Sequence, residues 1–304
     1  LPHPPPASAQ AHPRQIERQR EHAARFRALH QGPGIFVIGS VWDVPSAVIF
    51  EQAGFSALGT SSAGIAYSEG LPDGEQIGRE RMLAAVKCIV DRVGIPVSAD
   101  MESGFGHTPD TVAETVSALL ETGAIGINIE DAPGGILGAD TLLDLDLQVE
   151  KIRAMRSASQ RAGIDLFINA RTDGYWLGLW DEAERLHETL KRARAYLTAG
   201  ADGIFVPGAI AGQLIGTLAA GIAAPLNILA MPGCPTIPEL AALGVRRVSQ
   251  GSGPVRAALA LTRRIADELQ QTGSYQQYQT NSMPYAQANR VFTAGSSSGL
   301  IHEQ

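Results

Sequence analysis

Thr122-Gly123-Ala124-Ile125-Gly126-Ile127-Asn128-Ile129-Glu130-Asp131, residues 122–131, places a glycine just ahead of a mostly apolar run that stops abruptly on two acids. Glycine is favoured just past a helix end because it enters the left-handed region without a Cβ clash. An apolar run without strict alternation suits a parallel strand buried on both faces. The same unit returns as Ala53-Gly54-Phe55 before Ser56–Thr60, Ala199-Gly200-Ala201 before Gly203–Pro207, and Leu243-Gly244-Val245 before Arg246–Gln250. Counting such runs gives Ile35–Gly39, Ser56–Thr60, Pro96–Asp100, Ile125–Glu130, Leu166–Ala170, Gly203–Pro207, Leu226–Ala230 and Arg246–Gln250. Amphipathic helical stretches lie between most of them: Glu75–Val93, Asp110–Glu121, Leu147–Arg161, Asp181–Thr198 and Val255–Gln270. Repeated strand-then-helix units predict an α/β fold, a closed (β/α)8 TIM barrel rather than a doubly wound open sheet. The turn after the first run, Ser40-Val41-Trp42-Asp43, has no GxGxxG pattern for a dinucleotide.

The chain has 304 residues, 44% of them hydrophobic and 18% charged. One barrel of about 250 residues with terminal extensions fits that length better than two small domains. The expected division is a disordered lead-in over residues 1–20, a barrel over 21–272 and a C-terminal helical extension over 273–304. That extension carries Tyr275, Tyr278, Tyr285 and Phe292, and is expected to pack partly on a neighbouring subunit. A net charge of −7 with no run of five basic residues argues against nucleic acid. No apolar run reaches the roughly 18 residues of a spanning helix, so no membrane is expected and the cytoplasm is the default address. Cys88 and Cys234 suit neither a disulfide framework nor a zinc motif, and Cys88 is expected in the core.

Barrel active sites gather at the C-terminal ends of the strands. There the sequence puts Asp100-Met101-Glu102, Glu130-Asp131, Asn169-Ala170-Arg171-Thr172-Asp173, Thr60-Ser61-Ser62-Ala63, Trp42-Asp43 and, in a following loop, Asp73. Asp73, Asp100, Glu102 and Glu130 would converge on one rim. Like charges held together out of water are costly unless neutralised. A hard divalent cation, Mg2+ or in its place Mn2+, is the simplest remedy; zinc would want histidine or cysteine. The alternative is that each acid caps a helix or pairs with an arginine. Arg171 could grip a substrate carboxylate through its planar fork, or form an ion pair with Asp173 or Glu130. The Ser61–Ala63 turn offers backbone N–H groups to an anionic oxygen.

These residues together resemble the isocitrate lyase/phosphoenolpyruvate mutase superfamily, over about residues 20–295. Asp100-Met101-Glu102-Ser103-Gly104-Phe105-Gly106 is similar to its D-A-D-[TI]-G-[YF]-G, Ile129-Glu130-Asp131 matches, and Asp73 lies the usual distance before Asp100. The resemblance implies a barrel whose last helix is swapped between subunits of a homodimer or homotetramer. It also implies Mg2+ held by Asp100 directly, with Glu102, Glu130 and Asp73 reaching it directly or through water. Trp42, Ser61, Ser62, Ala63, Asn169 and Arg171 would bind a small 2-oxo or di-carboxylic acid, and chemistry would pass through a metal-stabilised enolate.

Two departures qualify this. Glu102 stands where the superfamily carries a second Asp. The segment Asp131–Asp140 has none of the Cys, Lys or His of the lyase K-[KR]-C-G-H loop, nor the Lys of the mutases. The resulting expectation is a Mg2+-dependent carbon–carbon lyase, with Arg171 and Asp43 as catalytic candidates and Tyr67, His107 or Tyr285 as further sources of a proton. The alternatives are phosphonopyruvate mutase or P–C hydrolase chemistry, and a 2-oxo-acid binding protein without turnover.

Overall fold

The computed structural model describes residues 13–134 and 140–293. The start of the expected lead-in, most of the Gly134–Asp140 loop and the last part of the C-terminal extension lie outside the described residues. In chain order the elements are α1 (Pro13–Gln31), β1 (Phe36–Val37), β2 (Gly39–Val41), α2 (Val44–Gln52), β3 (Leu58–Thr60), α3 (Ser62–Ser68), α4 (Arg79–Arg92) and β4 (Val97–Asp100). Next come α5 (Pro109–Glu121), β5 (Gly126–Glu130), α6 (Leu145–Ala162), β6 (Phe167–Arg171), α7 (Glu182–Ala199), β7 (Gly203–Phe205) and α8 (Gly212–Gly221). The chain continues through β8 (Leu226–Leu229), α9 (Ile237–Ala242), β9 (Arg247–Ser249), α10 (Gly253–Thr272), α11 (Gln276–Asn281) and α12 (Tyr285–Thr293).

Every strand pairs in parallel, in the order β1-β9-β8-β7-β6-β5-β4-β3-β2. β1 and β2 are halves of one strand: Ile38 N donates to Val248 O at 2.9 Å, and Gly39 N donates to Ala57 O at 3.1 Å. Successive residues thus bond to opposite neighbours, as in any central parallel strand, and the sheet closes into the expected (β/α)8 barrel. Each of the runs read from the sequence overlaps a strand, β6 extending one residue beyond its run to Arg171. The predicted glycine stops are in place, with Gly123 at φ 91° and Gly200 at φ 112°, values that a Cβ would oppose.

Side-chain alternation divides the barrel in two. Ile127, Ile129, Ile168, Ala170, Ile228 and Val248 belong to the main core under the helices and are fully buried. The opposite phase carries Asn128, Glu130, Asn169, Arg171, Asn227 and Arg247, so the barrel interior is polar above its base. The base is sealed by α1, where Phe26 meets the rings of Phe36 and Phe167 edge-on and His30 stacks on Phe167 at 3.8 Å. Gln19 Nε2 donates to Leu120 O and Ala124 O, each at 2.9 Å, tying the helix to the α5–β5 turn.

Three expectations need correction. Residues 13–20 belong to a helix, not to a disordered lead-in. α4 begins at Arg79 rather than Glu75, because Glu75 sits at φ 61° in a loop and turns its carboxylate to Ser103 and Phe105. Cys88 is exposed, since α4 buries the face made by Met82, Val86, Ile89 and Val90. α10 buries only Val255, leaving Leu259 and Leu269 exposed along an amphipathic helix.

Candidate active site

Strands β4, β5 and β6 end on Asp100, Glu130 and Arg171, which places all three at the same rim of the barrel. A cleft of about 630 Å³, counting its open mouth, descends from this rim. Ser61, Ser62, Ala63, Asp73, Asp100, Asn128, Arg171, Trp176 and Arg247 are among its walls. Asp100 is fixed from two sides. Its N–H donates to Thr60 Oγ1 at 2.9 Å, and Ser62 Oγ donates to its Oδ2 at 3.0 Å. Ser62 N reaches the same oxygen at 3.3 Å, and Ser62 Oγ lies 3.4 Å from Asp73 Oδ1. Ser61 caps α3 by accepting from Gly64 N at 3.2 Å, which sets the Ser61–Ala63 backbone beside Asp100.

Behind the wall the turn after β4 is strained. Glu102 at φ 50° and Phe105 at φ 53° flank Gly104 at φ 103°, a backbone that non-glycine residues adopt at a cost of roughly 1–3 kcal/mol each. The strain is held by hydrogen bonds: Glu102 O accepts from Glu130 N at 2.9 Å, and Glu102 Oε2 accepts from Glu75 N at 2.5 Å. Its Oε1 is buried without a partner among the described residues. Burial, with Asp73 and Asp100 nearby, pushes the Glu102 carboxyl up to about 8. Burial and Asp100 likewise raise Asp73. Buried Lys151, on α6, anchors the turn by donating to Ser103 O at 2.7 Å.

Arg171 takes the ion pairs that were the alternative to substrate binding. Glu130 stands opposite it in the β5–β6 register and lies 2.8 Å from Nη1, while Asp173 Oδ1 accepts from Nε at 2.7 Å. Its burial disfavours charge, but Asp173, Glu130 and Asp100 more than offset that and keep the guanidinium protonated. One cation does not balance this many acids, and burial pushes Glu130 well above the usual carboxylate range despite Arg171. Asp131, fully buried, braces the arrangement: it accepts from Asp173 N at 2.9 Å and from Tyr196 OH at 2.7 Å, with Arg192 Nη1 at 3.3 Å.

Below this layer three amides bridge the barrel. Asn169 Nδ2 donates to Asn128 Oδ1 at 2.8 Å and to Asn227 Oδ1 at 3.1 Å. Asn227 in turn donates to Ser249 Oγ at 3.1 Å. The cleft reaches down to Asn128 and to Arg247 beside it.

The cleft therefore brings together Ser61, Ser62, Ala63, Asp73, Asp100 and Arg171 of the residues read from the sequence, with Glu102 and Glu130 buried just behind. Asp43, the other catalytic candidate, is the N-cap of α2, its Oδ1 accepting from Ser46 N at 2.7 Å, and it stands outside the cleft wall. Trp42 also stands off the wall, packed against Gly64. Asn169 lies beneath it, its Nδ2 committed to the other two asparagines. Sequence reasoning passed over Glu75, Lys151 and Arg247. For Arg247 the signal was present, a charge in the inward phase of a barrel strand.

Among the described residues no three Asp, Glu, His or Cys side chains are drawn into one metal cage. The rim offers Asp100 facing the cleft with Asp73 beside it, and acids behind them whose charge is unbalanced. That donor set fits a hard cation held by one or two carboxylates with most of its water retained, the habit of Mg2+.

A family model described as phosphoenolpyruvate phosphomutase matches residues 26–270. An uncharacterized protein of Mycobacterium tuberculosis is 38% identical over 234 residues, 77% of this chain and 84% of that protein. The oxaloacetate decarboxylase of Bradyrhizobium diazoefficiens is 31% identical over 245 residues, 79% of this chain and 82% of its own. A crystal structure from Burkholderia cenocepacia J2315, provisionally assigned as a lyase/mutase, is 39% identical with a TM-score of 0.83, covering 91% of this chain and 97% of that one. Other relatives bear the names 2-methylisocitrate lyase and 2,3-dimethylmalate lyase.

Proposed function

The chain belongs to the phosphoenolpyruvate phosphomutase family, within the isocitrate lyase/PEP mutase superfamily, and from that premise we propose that it is a Mg2+-dependent lyase. Its substrate would be a small 2-oxo or 2-hydroxy carboxylic acid, cleaved at a carbon–carbon bond or decarboxylated. The observation that carries this reading is the set of unbalanced carboxylates around Asp100 at the mouth of a cleft with arginines in its wall. Relatives named as carbon–carbon lyases support it.

For a 2-oxo acid, breaking such a bond leaves an electron pair on the carbon next to the 2-oxo group, as an enolate that must be stabilised and then protonated. For a 2-hydroxy acid the hydroxyl gives up its proton to become the 2-oxo group, and the pair is left on the departing carbon, next to that fragment's own carboxylate, where it is protonated. Mg2+ bound at Asp100 would supply Lewis-acid polarisation of the 2-oxo oxygen. Ser62 holds the Asp100 carboxylate in one orientation, so that it need not reorganise as charge develops. Of the Ser61–Ala63 turn, Ser61 N donates to Val41 O and Ser62 N to Asp100, so Ala63 N–H is the group that would meet an anionic oxygen. The Glu130–Arg171–Asp173 ion pairs fix Arg171 in the wall, leaving Nη2 as the part of its fork not used by them.

The test is direct. Purified protein with Mg2+ is given a panel of 2-oxo and 2-hydroxy di-acids, and pyruvate, glyoxylate and CO2 are measured. Release from at least one member, lost in Asp100→Ala, is the expected result; a silent panel sinks the proposal. Because the family model carries the name of a phosphomutase, phosphonopyruvate followed by 31P NMR belongs in the same panel, and a new phosphorus signal there would move the reading to P–C chemistry. We propose further that a second copy of the chain covers the apolar face of α10, giving a homodimer or homotetramer in the cytoplasm. Light scattering of the purified protein gives that mass.

A further inference from the structure

Arg247 begins β9 in the inward phase of the barrel, 1% exposed and in the wall of the cleft. Unlike Arg171, it has no carboxylate within ion-pair distance among the described residues. Nη2 donates to Asn128 Oδ1 at a long 3.3 Å, and Nε and Nη1 are buried with no acceptor among the described residues. Beneath it is the aromatic base, with Phe26 centred 5.8 Å from its Cζ, and that ring offers no hydrogen-bond acceptor. Burial pulls the guanidinium down to about 9, with Asp100 as the charge that partly restores it. A guanidinium carries five donors and is seldom buried without an anion to receive them.

Position says what the anion would be attached to. Asn128, the hydrogen-bond partner of Arg247, stands directly beside Asp100 in the β4–β5 register. A ligand whose head lies at Asp100 and Ser62 and whose tail points down the cleft therefore brings that tail to Arg247. We propose that Arg247 receives the second carboxylate of the substrate, and that this selects di-acids with a 2-oxo head over mono-acids of the same length. The inference rests on the 2-oxo-acid reading of the site and adds its substrate class.

Matched pairs of acids test it: 2-oxovalerate against 2-oxoglutarate, and 2-oxobutyrate against oxaloacetate. Binding is measured with Mg2+ present, by calorimetry, or by inhibition wherever the acid is itself turned over. The wild-type protein should favour the di-acid of each pair by about 100-fold, the usual scale for a charge-assisted contact made in a buried site. Arg247→Met should bring the two acids of a pair to within about 3-fold while leaving mono-acid binding nearly unchanged. Arg247→Gln keeps a donor for Asn128 and should show the same loss of preference, and Arg247→Lys should retain part of it. Equal binding of both acids by the wild-type protein overturns the assignment of Arg247 and leaves the 2-oxo-acid reading standing. So does a mono-acid loss as large as the di-acid loss in the variants. Loss of the fold in both Arg247→Met and Arg247→Gln would make the residue structural and also end the proposal. Binding of none of the acids would remove the 2-oxo-acid reading itself, and this inference with it.

Discussion

Arg247→Met should make the ligand-free protein more stable, against the common rule that core substitutions destabilise. The gap between 12.5 and about 9, at 1.36 kcal/mol per pH unit, makes the burden of keeping this guanidinium charged about 5 kcal/mol. Methionine is unbranched and adaptable, though shorter, needs no hydrogen-bond partner and suits a site beside the Phe26 ring. It gives up the 3.3 Å contact to Asn128 and a cation–π contact of roughly 1 kcal/mol. Water entering the cleft shields part of the charge, and replacing buried ionic groups by apolar ones of similar volume gains about 1–4 kcal/mol. A gain of about 3 kcal/mol is the expectation. For 304 residues, at about 2.1 cal/mol/K per residue, the unfolding entropy is roughly 640 cal/mol/K, so this is a rise in Tm of about 5 °C. Differential scanning calorimetry of both proteins without ligand measures it, with urea unfolding as the check. Excess 2-oxoglutarate should then raise the Tm of the wild-type protein by more than that of the variant. A fall of more than about 2 °C in the ligand-free variant would mean that Arg247 is already satisfied in solution, and the reasoning fails.

Three further expectations follow from buried groups and close approaches. His30 is pulled down to about 3 by burial and by Arg247, so the native protein refuses a proton that the unfolded chain accepts below 6.5. Its contribution is constant above that value and turns destabilising as pH falls, by about 2 kcal/mol at pH 5; His30→Phe should remove that part of the slope, and parallel urea-midpoint curves between pH 7 and 5 for the two proteins would contradict it. Tyr196→Phe deletes the 2.7 Å donor to buried Asp131 and should cost about 1–3 kcal/mol in chemical denaturation, a value near zero meaning that water replaces the hydroxyl. Gly208 has φ 83°, and a Cβ there would sit 2.8 Å from backbone atoms of Tyr175 and Trp176. Gly208→Ala should therefore lose at least about 2 kcal/mol and shift the fluorescence of Trp176 in the cleft wall, and an unchanged Tm would show that this approach relaxes freely.

The barrel was legible because its strands carry core residues on their outward face, and so read as apolar runs after glycine stops. α1 was not, for a related reason. Its buried face is Gln19, Ala23, Phe26 and His30, a regular helical stripe in which two of four positions are polar and their partners are remote backbone and ring groups. At the site the sequence located the carboxylates, since strand-end acids are conspicuous in an apolar chain. It did not settle what each would touch. Glu130 and Arg171 face each other only because β5 and β6 align in that register, and Asp43 looked free because its cap partner, Ser46, has an unremarkable side chain. Arg247 was hidden by Arg246, whose side chain reaches the surface carbonyls of Gly32 and Gly34; only strand phase separates the two.

The helix that seals the base also bears on how the protein comes to be folded. The side-chain hydrogen bonds that seat α1 reach partners from 72 to 175 residues further along the chain, at Val90 and Asp202. During synthesis its stripe has no surface to settle on until the later strands exist. Chain made at about 5–20 residues per second leaves it waiting for roughly ten seconds or more. A stripe half built of glutamine and histidine withstands that exposure better than one of leucine would, so the polarity that hid the helix in the sequence also protects the nascent chain from aggregation.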